Sequence, residues 1–483
     1  MANPNRSAQA LLGLTALILV LAPGSGGAVT PLATGLFALG GAAILAILAA
    51  EPALLAPAQN PRLRWLGVAM GGVLALGALQ LLPLGPLLAY LSPASGALRT
   101  PQGGADSLGC IALYPDHARQ ALVGLVVAAA IFLVCARALP KKGPEHLAKL
   151  LILAALVQVA YGVLIMPSLR ESWFARAHGA YPSPNHFGLM LALCLPLAVL
   201  FSGVYSSERP PRAVRVGWGL AAAALALGLV ASRSRSAVLA AVAAVVVQAL
   251  LSRDARTKGR TVLVTLLGLA LAVATAGWHA LGTRFGDLVE GGEVDRVAFW
   301  QGGLEVWTRF PVFGAGLRSH DELTPSLIEF PRLVNATHND YINVLADLGL
   351  VGAGLIALGV GAYAVTARVG MRRARGPERR LGAALLAGLA AVAVASAFEF
   401  NLQIRANLWI TAALAGLGLA ALLPRRETTP LAGSRSAAWA TRLGWVLLTG
   451  AVLLATVGAR MAAAAWSLKQ GSDVSLPEAE RVV

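Results

Sequence analysis

Thr337-His338-Asn339-Asp340-Tyr341 opens an apolar run that begins near Ile342 and is centred near residue 354; it gives way to Arg372, Arg373, Arg375, Arg379 and Arg380. A polar opening, about 20 apolar residues and a basic block describe a helix that crosses roughly 30 Å of hydrocarbon. The arginine block is a stop signal that stays on the cytoplasmic side. The polar cluster with His338 then lies on the opposite face. If this segment crosses a membrane, the rest of the chain must be read in the same solvent.

Working outward, runs of the same kind centre near residues 15, 40, 73, 127, 158, 195, 222, 244, 270, 389, 414 and 453, which makes about thirteen in all. The 483 residues are 57% hydrophobic and 13% charged, and mean hydropathy is +0.69. A soluble chain of this length carries more charge on its surface, so composition alone excludes an ordinary soluble enzyme. The expected fold is an all-α, polytopic integral membrane bundle of about 12–13 transmembrane helices with a periplasmic loop carrying an amphipathic helix. With the N-terminus in the cytoplasm and every run crossing, the cytoplasmic loops and Arg6 hold 24 of the 39 Lys and Arg residues. Topology therefore accounts for the net charge of +16, and no nucleic-acid partner is implied. The first run is followed by Ala22-Pro23-Gly24-Ser25-Gly26-Gly27-Ala28, which also has the small-residue character of a signal-peptide cleavage region.

Three longer segments face the periplasm, at about 83–118, 168–184 and 282–340. Within the last, Val297, Trp300, Leu304 and Trp307 recur at helical spacing before Pro311 and predict one amphipathic helix, lying against the membrane or capping a cavity. Cys110, Cys135 and Cys194 form no evident pair and no metal-ligating cluster, so no metal site is expected.

Charge at a membrane edge is costly and marks candidate chemistry. Ser232-Arg233-Ser234-Arg235-Ser236 reads either as a helix end with snorkelling arginines or as an anion site, since guanidinium binds phosphate oxygens in a two-pronged fashion. Asp295-Arg296, followed by Trp300 and Glu305, reads as a solvated helix face or as part of such a site. His338 is either a surface residue at a helix opening or a base for a hydroxyl near neutral pH, with Asn339 and Asp340 to orient it. Tyr181-Pro182-Ser183-Pro184-Asn185-His186-Phe187-Gly188 offers Asn185 and His186 for sugar hydrogen bonds, or caps its span. Glu399 and Arg405 face the same side and are candidates to pair with each other. All these groups converge on one membrane face.

His338-Asn339, then nine residues, then Gly349-Leu350-Val351-Gly352 resembles the His-Asn signature and glycine spacing of the O-antigen ligase/polymerase superfamily of membrane glycosyltransferases. Ser234-Arg235-Ser236, Arg296-Val297-Ala298-Phe299-Trp300, Phe310 to Gly316 and Asn185-His186-Phe187-Gly188 are similar to members of that family as well. The likeness covers roughly residues 180–420. It implies a multi-pass protein of the bacterial inner membrane with its site facing the periplasm. The implied reaction moves a glycan from an undecaprenyl-diphosphate carrier to a hydroxyl of lipid A core or of a growing glycan, with inversion and without a nucleotide sugar, cofactor or required metal. It implies Arg235 and Arg296 on the diphosphate and His338 as base, with Arg233 able to stand in for Arg235, Arg318 as another candidate phosphate ligand, and Asn339, Asn185, His186 and Trp300 near the substrate. Two guanidiniums suit the charge that develops on such a leaving group. The implied organisation is N-terminal spans over 1–167, a ligase-like region over 168–423, and a linker, last span and tail over 424–483. Ligase and repeat-unit polymerase share this donor and site. A transporter or flippase is the reading of another class; broken helices near the midplane would favour it, and charges gathered at one face count against it.

Overall fold

The computed structural model describes residues 4–51, 54, 61–99, 109–165, 176–203, 210–252, 259, 292–327, 337–423 and 434–474, which are helical wherever they are regular. The α-helices of eight or more residues are α1 (Pro4–Gly24), α2 (Pro31–Ala50), α3 (Pro61–Leu79), α4 (Pro115–Leu133), α5 (Gly143–Ala160), α6 (Pro184–Phe201), α7 (Arg212–Ser232), α8 (Arg235–Leu251), α9 (Gly292–Arg309), α10 (His320–Leu327), α11 (Asp340–Arg373), α12 (Gly376–Ala395), α13 (Arg405–Leu422) and α14 (Ser434–Val474). Among the described residues ten helices are long and apolar enough to cross a membrane. Twelve of the thirteen expected runs are helical; α8 is shorter than a typical span, and α12 starts on charged residues. The run centred near 270 lies outside the described residues.

The helix openings at the charged end follow local chemistry. Ser183, Ser234 and Asn339 each accept a backbone N–H of the first turn, of Asn185 at 3.3 Å, Ala237 at 3.3 Å and Tyr341 at 2.9 Å. Pro184 follows Ser183 at a position where a missing N–H costs nothing. α6 and α13 are the most enclosed spans. Trp409 of α13 is wholly buried, donates Nε1–H to the Gly124 carbonyl at 2.9 Å and meets Phe37 edge-on.

Hydrogen bonds between loops sort the helix ends into two groups, as alternating crossings require. Ala177 N–H reaches the Ala231 carbonyl, Asp340 N–H the Ser396 carbonyl, and Arg405 the carbonyls of Ala28 and Val29. At the other end Arg379 donates to the carbonyls of Leu251 and Met371.

α11 is broken at Gly349, whose φ of 61° and ψ of −165° interrupt the helix. The segment after α9 docks into the break. Leu350 N–H reaches the Pro311 carbonyl at 2.8 Å, Val351 N–H that of Val312 at 3.1 Å, Ala315 N–H that of Ala346 at 2.9 Å and Gly316 N–H that of Asp347 at 3.1 Å. Fully buried Gln80 closes the junction with Nε2 on the Phe313 and Asp347 carbonyls and Oε1 on Leu317 N–H. Irregular backbone survives in such a protein where its polar groups are satisfied in this way.

The expected amphipathic helix is α9, with a second apolar face that the spacing argument did not single out. Phe299, Gly302, Gly303, Val306 and Phe310 pack inward, whereas Val297 and Leu304 stay 51% and 39% exposed. Gly303 lets α9 approach closely: a Cβ there would lie 2.5 Å from Thr337 Cγ2 and 2.7 Å from Ile342 Cγ2. The helix thus rests on the opening of α11, beside His338.

Candidate active site

His338 sits just before the Asn339 cap with φ 52°, a left-handed conformation uncommon outside glycine. Its ring stacks on Phe299 of α9, with centroids 6.0 Å apart, and meets Phe400 edge-on at 5.1 Å. Nδ1 lies 3.0 Å from Glu399 Oε2. The imidazole is 30% exposed and the carboxylate 1%. Thus one ring nitrogen is committed to a buried acid while the ring keeps access to the outside.

Glu399 is held from its other oxygen, where Asn185 Nδ2 donates to Oε1 at 2.6 Å. Asn185 Oδ1 in turn accepts from Arg176 Nη2 at 2.9 Å, and Arg176 Nε donates to the Ser232 carbonyl at 3.0 Å. A continuous hydrogen-bonded chain therefore runs from the turn between α7 and α8 to His338. Gly188 of α6 brings these elements together, since a Cβ there would lie 2.5 Å from Ala237 Cβ and 3.2 Å from Ser232 Oγ. Arg233, with φ 49°, and Arg235 are exposed on that turn, while Ser232, Ser234 and Ser236 are buried beneath them.

The remaining candidates take varied places. Arg296 lies on α9 three residues before Phe299, and its side chain, like that of Asp295, is outside the described residues. Trp300 is partly buried on the same helix. Asn339 spends Oδ1 on two backbone amides of α11. His186 is buried, with Nδ1 3.0 Å from Asn401 Oδ1 and its ring edge-on to Phe400. Asp340 does not face His338; it accepts from Ser396 Oγ and Leu402 N–H. The expected Glu399–Arg405 pairing is not formed. Arg405 points away to the carbonyls of Ala28 and Val29 in the loop after α1, and Glu399 turns to the His338 side. Arg318 directs Nε and Nη2 to Asp321 Oδ2, at 2.9 and 2.6 Å, so its charge already has a counterion.

Behind Arg318 lies a second polar group. Fully buried His320 has Nδ1 2.8 Å from Asp347 Oδ1 and Nε2 3.0 Å from Asp321 Oδ1. Burial opposes a charge on this ring, but the carboxylates of Asp347 and Asp321 outweigh it and push its pKa up to about 10. Burial pulls the Asp321 carboxyl upward, yet His320 and Arg318 hold it below the usual range.

Residues 220–357 match the family model of the O-antigen ligases. That region belongs to the O-antigen ligase superfamily. No curated protein matches the chain. The ligase match takes in Arg233, Arg235, Arg296, Arg318, His338 and the Gly349 break. Arg176, Asn185, Glu399 and Phe400, which hold His338 in place, lie outside it. The match supports, in general terms, an O-antigen ligase- or polymerase-like membrane enzyme. Sequence reasoning offered Glu399 only as a partner for Arg405, quoted Phe299 only within a motif, and passed over Arg176 and Phe400. A lone carboxylate in a short turn between two spans was the available signal, because such a charge needs a partner.

Proposed function

We propose that this protein transfers a glycan from a polyprenyl diphosphate, of the undecaprenyl type, to an acceptor hydroxyl at the periplasmic face of the bacterial inner membrane, in the manner of a ligase that builds lipopolysaccharide or a related surface glycan. The observation that carries the reading is the accessible imidazole of His338, anchored through Nδ1 and wired to the turn that presents Arg233 and Arg235. In this reaction the acceptor O–H gives its proton to His338 as its oxygen bonds to the anomeric carbon. The bond to the carrier breaks on the opposite side, and the electron pair leaves with the diphosphate. Arg235 and Arg296 meet the charge that develops there, and Arg233 is placed to assist. The exposed stripe of α9 gives a lipid-side wall along which the carrier enters. The break in α11 is filled by the chain's own backbone and Gln80, which supports chemistry at the charged end over a transport path at the break.

The test is deletion of the gene in its host, with complementation by wild type, His338→Ala or Arg296→Ala, and profiling of lipopolysaccharide, capsule and secreted polysaccharide. Loss of a glycan that wild type restores and both variants fail to restore supports the enzyme. Intact polymer stranded on the carrier identifies a ligase, and single repeat units identify a polymerase. Full complementation by both variants refutes the site. Orientation is read separately from Thr308→Cys, since Thr308 is exposed on the polar side of α9 beside Glu305 and Arg309 and the three native cysteines are buried. A membrane-impermeant maleimide labels it in cells whose outer membrane alone is permeable; labelling only after the inner membrane is opened inverts the topology.

A further inference from the structure

We infer that Glu399 is the positioning residue of the base: it holds His338 with the proton on Nδ1 and the lone pair on Nε2, and Asn185 and Arg176 tie it to the arginine-bearing turn. The inference rests on the proposed transfer reaction and adds to it the residues that set the state of the base.

The direction of each hydrogen bond follows from donor chemistry. Arginine has only donors, so Asn185 must face Arg176 with Oδ1, at 2.9 Å. That turns Nδ2 of Asn185 toward Glu399, where it donates to Oε1 at 2.6 Å. A carboxylate that accepts on one oxygen offers its other oxygen as an acceptor too, so the ring nitrogen 3.0 Å from Oε2 carries its proton. The tautomer with Nδ1–H leaves Nε2 as the acceptor for a substrate proton. Phe299 across one face of the ring and Phe400 at its edge oppose rotation.

Other nearby groups are already committed. Asp340 is taken by Ser396 and the Leu402 backbone, and His186 by Asn401. Among the described residues the charged and titratable groups around Glu399 include His338 from the start of α11, Asp340 beside it, His186 from α6, and Arg176, which reaches it through Asn185. During transfer Nε2 takes the acceptor proton, and the imidazolium so formed faces the Glu399 carboxylate through Nδ1–H. The chain from Arg176 also fixes the base relative to the Ser232 carbonyl, one residue before Arg233. Geometry between base and phosphate ligands is then held by Arg176 before α6, Asn185 on α6 and Glu399 in the α12–α13 turn, with the Ser232 carbonyl as the anchor at the end of α7.

The experiment uses the full-length protein in detergent, lipid-linked glycan extracted from the deletion strain as donor, and total lipid of that strain as acceptor. Rates across pH are compared for wild type, Glu399→Gln, Glu399→Asp, Asn185→Ala and His338→Ala. Glutamine matches the shape of Glu399 but can donate to Nδ1, which places the ring proton on Nε2. Glu399→Gln is expected to lose roughly 100-fold in kcat with the donor KM unchanged, and the acid limb of its residual rate moves to lower pH. Glu399→Asp, which keeps an acceptor, recovers part of that loss, and Asn185→Ala loses roughly 10-fold. A purely structural role predicts the reverse order, with the isosteric glutamine better than aspartate and no movement of the pH limb; that order overturns the inference. An active His338→Ala removes the base assignment itself. An inactive His338→Ala beside a Glu399→Gln variant equal to wild type removes only the positioning role.

Discussion

Replacing Gly349 by alanine tests whether the break in α11 is built by the chain's own docking segment. At φ 61° and ψ −165° the residue occupies a region open essentially to glycine, at a cost of about 1–3 kcal/mol for any other side chain. An added Cβ would also lie 2.4 Å from the Val312 oxygen, 2.5 Å from its carbonyl carbon and 2.6 Å from Gly314 N. These are backbone atoms, so no rotamer change relieves the contact, and overpacking adds about 1–3 kcal/mol. The two terms together predict a loss of about 2–6 kcal/mol. The chain's alternative is to release the docked segment and give up the four backbone bonds that join it to α11, at about 0.5–1.5 kcal/mol each, which is a loss of similar size. Thermal unfolding in a fixed detergent, followed by tryptophan fluorescence, reads the effect. Gly361→Ala on the same helix is the control, because a Cβ there meets nothing within 4 Å and alanine is favoured over glycine by about 0.5–1 kcal/mol in a helix interior. The expected order is Gly361→Ala at or above wild type, and Gly349→Ala well below both. Equal melting of the two variants refutes the account of the break.

Two further outcomes are expected of the same region. Gln80→Leu leaves the Phe313 carbonyl and the Leu317 N–H without their buried partner, at about 1–3 kcal/mol for each of these two groups, while the Asp347 carbonyl keeps the Gly316 N–H; an unchanged melting temperature would show that Gln80 is dispensable. His320 carries a pKa raised from 6.5 to about 10, so its contribution to stability is full below pH 6.5 and is lost as pH rises through about 10. Wild type should therefore lose stability across that window and His320→Gln should lose less; parallel curves would remove the charged pairing with Asp347 and Asp321.

The span pattern, the two-sided distribution of arginines and the position of most helix openings were legible in the sequence, because each depends on residues close together in the chain. Hydrophobic length decides what crosses a bilayer, basic loops decide which way, and a Ser or Asn before an apolar run caps the helix it precedes. The same locality made Ser234 and Asn339 ambiguous, since a cap and a substrate ligand are the same residue type in the same place. What required the tertiary structure was the choice of partner. Glu399 and Arg405 are six residues apart and of opposite charge, yet Glu399 joins His338, 61 positions away, and Arg405 joins Ala28, 377 positions away. Arg318, a candidate phosphate ligand in the sequence, is held by Asp321, and α9 hides Phe299 and Val306 while leaving Val297 outside. Buried charge pairs with whatever packing brings within about 3 Å, and close packing between spans is set by the contours of whole helices, with glycines such as Gly188 and Gly303 admitting a neighbour. Sequence determined which segments enter the membrane and that their charged ends gather at one face; only the packing of those segments decided which of the gathered groups touch.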